Sequence, residues 1–149
     1  FTVYGPWGRP DMAYFKFTKS ILEGKEIEIF NEGEMMRDFT YIDDIIESIY
    51  RLISVPPIDK VSNSSNALAP FDLFNIGNNN PVSLSLFVKT LENCLGMKAK
   101  KNNIGMQPGD VLKTFADIES IKQKIKYHPK VSIDEGLQKF VDWYKNYSC

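Results

Sequence analysis

Hydrophobic and polar residues follow two rhythms along this chain, and the rhythms lay out its elements. Phe1 to Tyr4 is a short apolar run of β character, stopped by the turn-forming pair Gly5-Pro6. Between Pro10 and Gly24, Ala13, Phe17 and Ile21 recur at every fourth position, which predicts a helix with Gly24 as its stop. Ile27 and Ile29 then alternate with Glu26 and Glu28, the spacing of a strand ending at Phe30, and Asn31-Glu-Gly33 turns the chain. Asp38 to Ile42 predicts another strand. It leads into a helix that Asp43 can cap and whose apolar face is Ile45, Ile46, Ile49, Tyr50 and Ile53, with Pro56-Pro57 ending it.

Ser62 to Asn66 reads as a polar loop, Phe71 to Gly77 as a strand, and Ser83 to Gly96 as a helix built on Phe87, Leu91 and Leu95. The last third holds a lysine-rich strand candidate (Lys98, Lys100, Lys101), a loop from Gly105 to Asp110, and two helices. The second is the better signed: Ser132-x-x-Glu135 is a capping box, and Leu137, Phe140, Val141 and Tyr144 follow at helical spacing. The lysine cluster reads as a charged strand edge in preference to an anion site. Strands and helices alternate, so the class is α/β, and 149 residues suffice for one core.

Charge narrows the partners. With 18 basic against 19 acidic side chains, the balance gives no reason to expect nucleic acid or an anionic membrane, though one or two arginines can still hold a small acidic ligand. No apolar run approaches the roughly 20 residues of a membrane span. Cys94 sits in a helical apolar pattern as a small buried residue, and Cys149 is the last residue, so the two cysteines suggest neither a disulfide framework nor a metal site; the reducing cytoplasm fits best. The single histidine, His128, leaves no zinc constellation.

Candidate chemistry begins with two failed requirements. A dinucleotide needs a glycine-rich turn at a helix N-terminus, and the nearest approach, Gly5-Pro-Trp-Gly8, is flanked by prolines with Asp11 where a third glycine would stand. A phenol activated by an ammonium group one helical turn on would read Tyr-x-x-x-Lys, and no tyrosine here has that lysine. What remains are groups suited to gripping an anion. Arg37, after a glycine-containing turn, presents a fork for a diphosphate or for an ion pair with Asp43 or Asp44. Arg9 can bind a carboxylate or face water; Asp110 in Pro-Gly-Asp can accept from a ribose diol or simply form the turn. Phe30 can pack on a flat base or in the core, and Asn75 can contact a ligand or bond its own turn.

In this order the motifs Thr-Val-Tyr-Gly-Pro, Gly-Arg-Pro-Asp-Met, Ile-Leu-Glu-Gly-Lys, Arg-Asp-Phe-Thr-Tyr-Ile-Asp-Asp, Phe-Asn-Ile-Gly, Pro-Gly-Asp-Val and Thr-Phe-Ala-Asp resemble the C-terminal half of the extended short-chain dehydrogenase/reductase family. Within it the likeness is strongest to UDP-glucuronate 4-epimerases. The resemblance runs from Phe1 to about Tyr147. It implies one substrate-binding fragment over residues 1–149: a small UDP-sugar domain plus terminal strands (Phe1 to Tyr4, Phe71 to Ile76) of a nucleotide-binding sheet whose Rossmann half lies outside the chain. It further implies a homodimeric parent using NAD, bound mainly by that other half, with Phe1 and Val3 as possible contacts. By motif, Thr2 and Arg9 match sugar contacts, Arg9 facing the uronate carboxylate. Met12 and Ala13 match a stretch near the nucleotide, Phe30 the uracil side, Arg37 the diphosphate or ribose, and Asp110 the ribose. Asn75 falls in the Phe-Asn-Ile-Gly motif, and Gln107 stands where many relatives carry arginine, so one phosphate charge is replaced by an amide.

The implied reaction inverts C4 through a keto sugar, with the acid/base pair outside this chain, so the fragment alone is expected to be inactive. A 4,6-dehydratase or a uronate decarboxylase of the same family would share these residues. A ligand-free protein-interaction module is the third reading, resting on the apolar start of the chain.

Overall fold

The computed structural model describes residues 1–58, 70–106 and 109–147. The loop expected at Ser62 to Asn66, Gln107 and Cys149 lie outside the described residues. Among the described residues, eleven strands and α-helices follow one another, with one short 3-10 turn (Asn31–Gly33) after the second strand: β1 (Thr2–Tyr4), α1 (Ala13–Leu22), β2 (Glu26–Phe30), β3 (Met36–Arg37), β4 (Phe39–Tyr41), α2 (Ile42–Ile53), β5 (Val82–Ser83), α3 (Leu84–Leu95), β6 (Lys100–Ile104), α4 (Glu119–Ile125) and α5 (Ile133–Tyr147). The strands pair two by two. β1 runs parallel to β4 with Thr2 opposite Phe39, β2 parallel to β6 with Glu26 opposite Lys100, and β3 antiparallel to β5. Both parallel pairs need crossovers, which α1 and α3 help to supply.

The main core lies where these pairs meet α1, α3 and α5. Ile27 and Ile29 turn inward from β2 as their alternation requires, and Phe87, Leu91, Leu137, Phe140 and Val141 are fully buried between α3 and α5. Each such side chain contributes about 1.5–3 kcal/mol by leaving water. Tyr4 meets Tyr14, Phe39 and Tyr41 edge to face at 5.5–6.2 Å, and Phe39 stacks on Phe87 at 4.4 Å. Gly136 lets α5 approach this cluster: a Cβ there would lie 2.1 Å from the Tyr4 hydroxyl. A second cluster, Ala116, Ile118, Ile121 and Tyr127, packs under Phe74 and Leu52. Tyr127 donates to the Gly77 carbonyl at 2.9 Å, and burial pushes its phenol up to about 12.

Local signals placed the helix ends well. Ser83 caps α3 by accepting from the Leu86 N–H at 3.2 Å and Gly96 closes it at φ +69°, while Ser132 accepts from the Glu135 N–H at the start of α5. Three expectations need correction. The N-cap position of α2 belongs to Tyr41, without a side-chain cap, and Asp43 falls in the first turn. The expected apolar face of α2 is largely exposed: Ile46, Ile49, Tyr50 and Ile53 stand in solvent while Asp44 and Ser48 are buried. Asp44 accepts from the Lys130 and Val131 N–H groups and Ser48 donates to the Asp44 carbonyl, so this helix is held by hydrogen bonds on its inner side. Phe71 to Ile76 forms no strand, because strand formation needs a ladder partner and none lies beside it among the described residues; Phe71 and Leu73 are exposed.

The lysine cluster is an ion-paired edge. Lys98 and Lys101 reach the buried Glu92 carboxylate at 3.2 and 3.0 Å, and the Ala99 N–H donates to it at 3.0 Å. Burial acts to raise the Glu92 pKa, but the Lys101, Ala99 and Lys98 hydrogen bonds together bring it below its ordinary value. A lowered folded-state pKa stabilises the fold above the unfolded carboxyl pKa, near 4.3, and that contribution disappears as pH falls through the folded value. Glu92→Gln should therefore lower the urea midpoint at pH 7, by about 1–3 kcal/mol of stability, with the difference from the parent shrinking at pH 3. A gap of equal size at both pH values would show that charge plays no part.

Candidate functional site

Glycine and proline shape the entry to α1. Pro6 and Pro10 fix their own backbone angles, the Gly8 N–H donates to the Gly5 carbonyl at 3.3 Å, and the Met12 N–H donates to the Arg9 carbonyl at 3.2 Å. Gly8 passes so close to Tyr14 that a Cβ would meet its hydroxyl at 1.6 Å. Only glycine fits. This loop, α1, β2 and β3 together enclose a cavity of about 490 Å³, of the size that takes a small molecule. The stripe Ala13, Lys16, Phe17 and Ser20 of α1 forms one wall, Phe30 and Met35 another, and Thr2 and Arg37 also line it. This stripe of α1 thus borders the cavity while Thr18 and Ile21 enter the core, and the buried Tyr14 touches both.

Arg37 is held from several sides. One guanidinium nitrogen donates to the Met36 and Val111 carbonyls at 2.9 and 2.7 Å, and the other donates to Asp110 at 3.1 Å. Of the two readings open for this residue, the ion pair exists with Asp110, not with Asp43 or Asp44. The pair is about three-quarters shielded, 20% and 30% exposed by side chain. Behind it sits Asp38, fully buried. Its carboxylate accepts from the Asn78, Asn79 and Ala116 N–H groups at 3.1, 3.1 and 2.9 Å. Thr114 adds a bond to the Asp38 N–H, and Met36 exchanges main-chain bonds with Leu112 and Thr114. The segment carrying Asp110 is thereby laid along β3.

Arg9 stands apart from that cavity. It lines a smaller hollow of about 360 Å³ with Phe1, Val3, Trp7 and Ile42, and the two hollows share Met12 and Tyr14 as their common wall. The Arg9 Nε donates to Asp11 Oδ1 at 3.0 Å and its Nη2 to Oδ2. That hydrogen bond raises the Arg9 pKa and lowers that of Asp11, both at the surface. Burial raises the Tyr14 phenol between them. Asn75 joins neither hollow: its amide donates to the Asp117 carbonyl at 3.2 Å, tying the extended segment to the start of α4. The sequence thus led to Thr2, Met12, Ala13, Phe30 and Arg37 at one cavity with Asp110 on its arginine, and to Arg9, Phe1 and Val3 at the neighbouring one. Lys16 and Ser20 were missed, although their spacing from Ala13 and Phe17 puts them on the same helical stripe.

The described residues do not fit a dinucleotide seat. α1 is entered through Arg9-Pro10 with no side-chain cap, and Tyr41 precedes α2 and Ser83 precedes α3, so no glycine-rich turn meets a helix N-terminus. Among the described residues there is also no group of His, Cys, Asp and Glu able to hold a metal ion, and no helix long and apolar enough to cross a membrane.

The described residues form a mixed α/β fold with a cavity lined by Asp11 and Met12 at the entry to α1 and by Arg37 of β3. The model of the NAD dependent epimerase/dehydratase family matches residues 1–66. It is 50% identical, over 99% of its length and 46% of the other protein's, to protein CapI of Staphylococcus aureus. It is 48% identical over the same shares to a probable UDP-glucuronate 4-epimerase of Rhizobium meliloti. Among solved structures, the UDP-glucuronic acid 4-epimerase of Bacillus cereus in complex with UDP-glucuronic acid and NAD superposes with a TM-score of 0.83 at 35% identity, over 99% of this chain and 44% of that one. The chain therefore spans about half the length of the relatives it matches.

Proposed function

We propose that this chain is the substrate-gripping portion of an NAD-dependent UDP-sugar 4-epimerase that interconverts UDP-glucuronate and UDP-galacturonate. The observation that carries the reading is the pair of adjoining hollows, with Arg37 at one and Arg9 at the other, which share Met12 and Tyr14 in their linings. A UDP-sugar is long and doubly anionic at its centre, and an acidic sugar adds a carboxylate at its far end. Phe30 and the inner end of β2 offer a flat apolar wall for the base. Arg37 supplies a fork for the diphosphate, and in this reading Asp110, bonded to Arg37, accepts from a ribose hydroxyl. Thr2 offers a hydroxyl toward the sugar, and Arg9 a second fork for the carboxylate.

Epimerisation at C4 needs the sugar to present both faces to the cofactor while the carrier stays bound, so binding energy must reside in the remote nucleotide. That is the work assigned to these residues. The hydride chemistry would come from NAD, for which the described residues provide no seat, and no proton-transfer step is assigned to a residue here.

Arg9 separates an acidic from a neutral sugar. In the intact protein, Arg9→Ala should weaken UDP-glucuronate binding by about tenfold or more and leave UDP-glucose binding nearly unchanged, as read by calorimetric titration. Equal losses for both ligands would remove the uronate assignment while leaving the UDP-sugar assignment in place.

A further inference from the structure

Trp7 adopts a conformation that an indole rarely takes. Its φ is +60°, in the left-handed region where glycine, asparagine and aspartate are at home and a bulky aromatic is an outlier. Burial does not explain it, because 76% of the residue is exposed. Contacts from the far end of the chain do. The indole stands edge-on against Trp143 at 5.3 Å and 61°, and against Tyr147 at 5.3 Å and 75°. Trp143 and Tyr147 are themselves stacked at 4.8 Å and 15°, and Phe15 of α1 packs on Trp143. The last turns of α5 therefore offer a preassembled aromatic pair that catches the tip of the loop between β1 and α1.

Arg9 is two residues further on. Between them Gly8 leaves no slack, since it lies against Tyr14, and Pro10 follows directly. Whatever fixes Trp7 therefore fixes the main chain from which the Arg9 side chain departs. Trp143 and Tyr147 line neither hollow, so they act on a ligand only through the loop. We propose that Trp7, Trp143 and Tyr147 form an aromatic clamp that positions Arg9 at the smaller hollow and so sets the preference for acidic over neutral sugars. The inference rests on the reading of Arg9 as the carboxylate ligand. Its physical basis is preorganisation: a long cationic side chain on a free loop loses conformational freedom on binding, whereas one on a pinned loop has lost part of it beforehand.

The test measures UDP-glucuronate and UDP-glucose binding to the intact protein in parallel. Trp143→Leu and Tyr147→Ala, both on α5 and outside the two hollows, should each weaken UDP-glucuronate binding by about five- to tenfold with UDP-glucose unaffected. Tyr147→Phe, which keeps the ring stack, should bind both ligands as the parent does. A purely structural role would lower thermal stability without changing the ratio of the two affinities. If Arg9→Ala changes that ratio and the clamp variants do not, the clamp is overturned and the carboxylate reading stands. If Arg9→Ala leaves the ratio unchanged, both are overturned.

Discussion

Arg37→Ala should weaken UDP binding by at least about thirtyfold. The guanidinium is the positive group at the larger cavity whose direction is fixed by protein contacts, through Met36, Val111 and Asp110. Charge-assisted hydrogen bonds to a diphosphate are worth about twice neutral ones, and loss of a two-pronged contact costs on the order of 2–4 kcal/mol, thirtyfold to several hundredfold in affinity. Arg37→Lys keeps the charge but loses the fork and the tie to both carbonyls, so it should recover only a small part. Thermal unfolding separates binding from folding: the pair is partly exposed, and its removal should cost little stability compared with the loss of ligand. Affinity for UDP within a factor of two of the parent in Arg37→Ala would place the diphosphate elsewhere, with Lys16 the next cation on the cavity wall.

The largest effect on stability is expected at Asp38. Asp38→Ala removes one buried carboxylate and strands three main-chain N–H groups, of Asn78, Asn79 and Ala116, that lie 40, 41 and 78 residues away. An unsatisfied buried donor costs about 1–3 kcal/mol, so a total loss of roughly 3–5 kcal/mol is expected, enough to unfold a marginal domain. Asp38→Asn retains the shape and one acceptor oxygen and should lose about half as much. The urea midpoint reads both. Because Asp38 also holds the segment bearing Asp110 against β3, ligand affinity should fall in Asp38→Asn even where the protein remains folded; unchanged stability in Asp38→Ala would mean that water or a rearranged loop replaces the carboxylate.

What the sequence disclosed divides along the range of the signal. The ends of α3 and α5 were legible because Ser83, Gly96, Ser132 and Glu135 act on groups within a few residues of themselves. The alternation over β2 was legible for the same reason. The fate of Phe71 to Ile76 was not: its alternation is present, but a strand is made by its neighbour, and no local pattern names that neighbour. The partner of Arg37 was equally hidden, since Asp110 lies 73 residues away and a closer carboxylate in sequence, Asp43 or Asp44, was available on paper. Motif order grouped Arg9 with Arg37, where the geometry gives each its own hollow. Asn75 shows the limit of that grouping, because a motif residue can serve the chain rather than a ligand.

Helix α2 reverses the usual relation between side-chain polarity and depth, with Asp44 and Ser48 inside and Ile46, Ile49 and Ile53 outside. Substitution tolerance along it consequently inverts for this chain taken by itself. Replacing Ile46 or Ile53 by lysine leaves the packing of the helix undisturbed, whereas the familiar stabilising edit of making an interior position greasier, Ser48→Leu, forces a bulky group into a fully buried position and removes the hydroxyl that bonds the Asp44 carbonyl. A repair strategy guided by hydrophobicity would therefore weaken this helix at the positions it set out to strengthen.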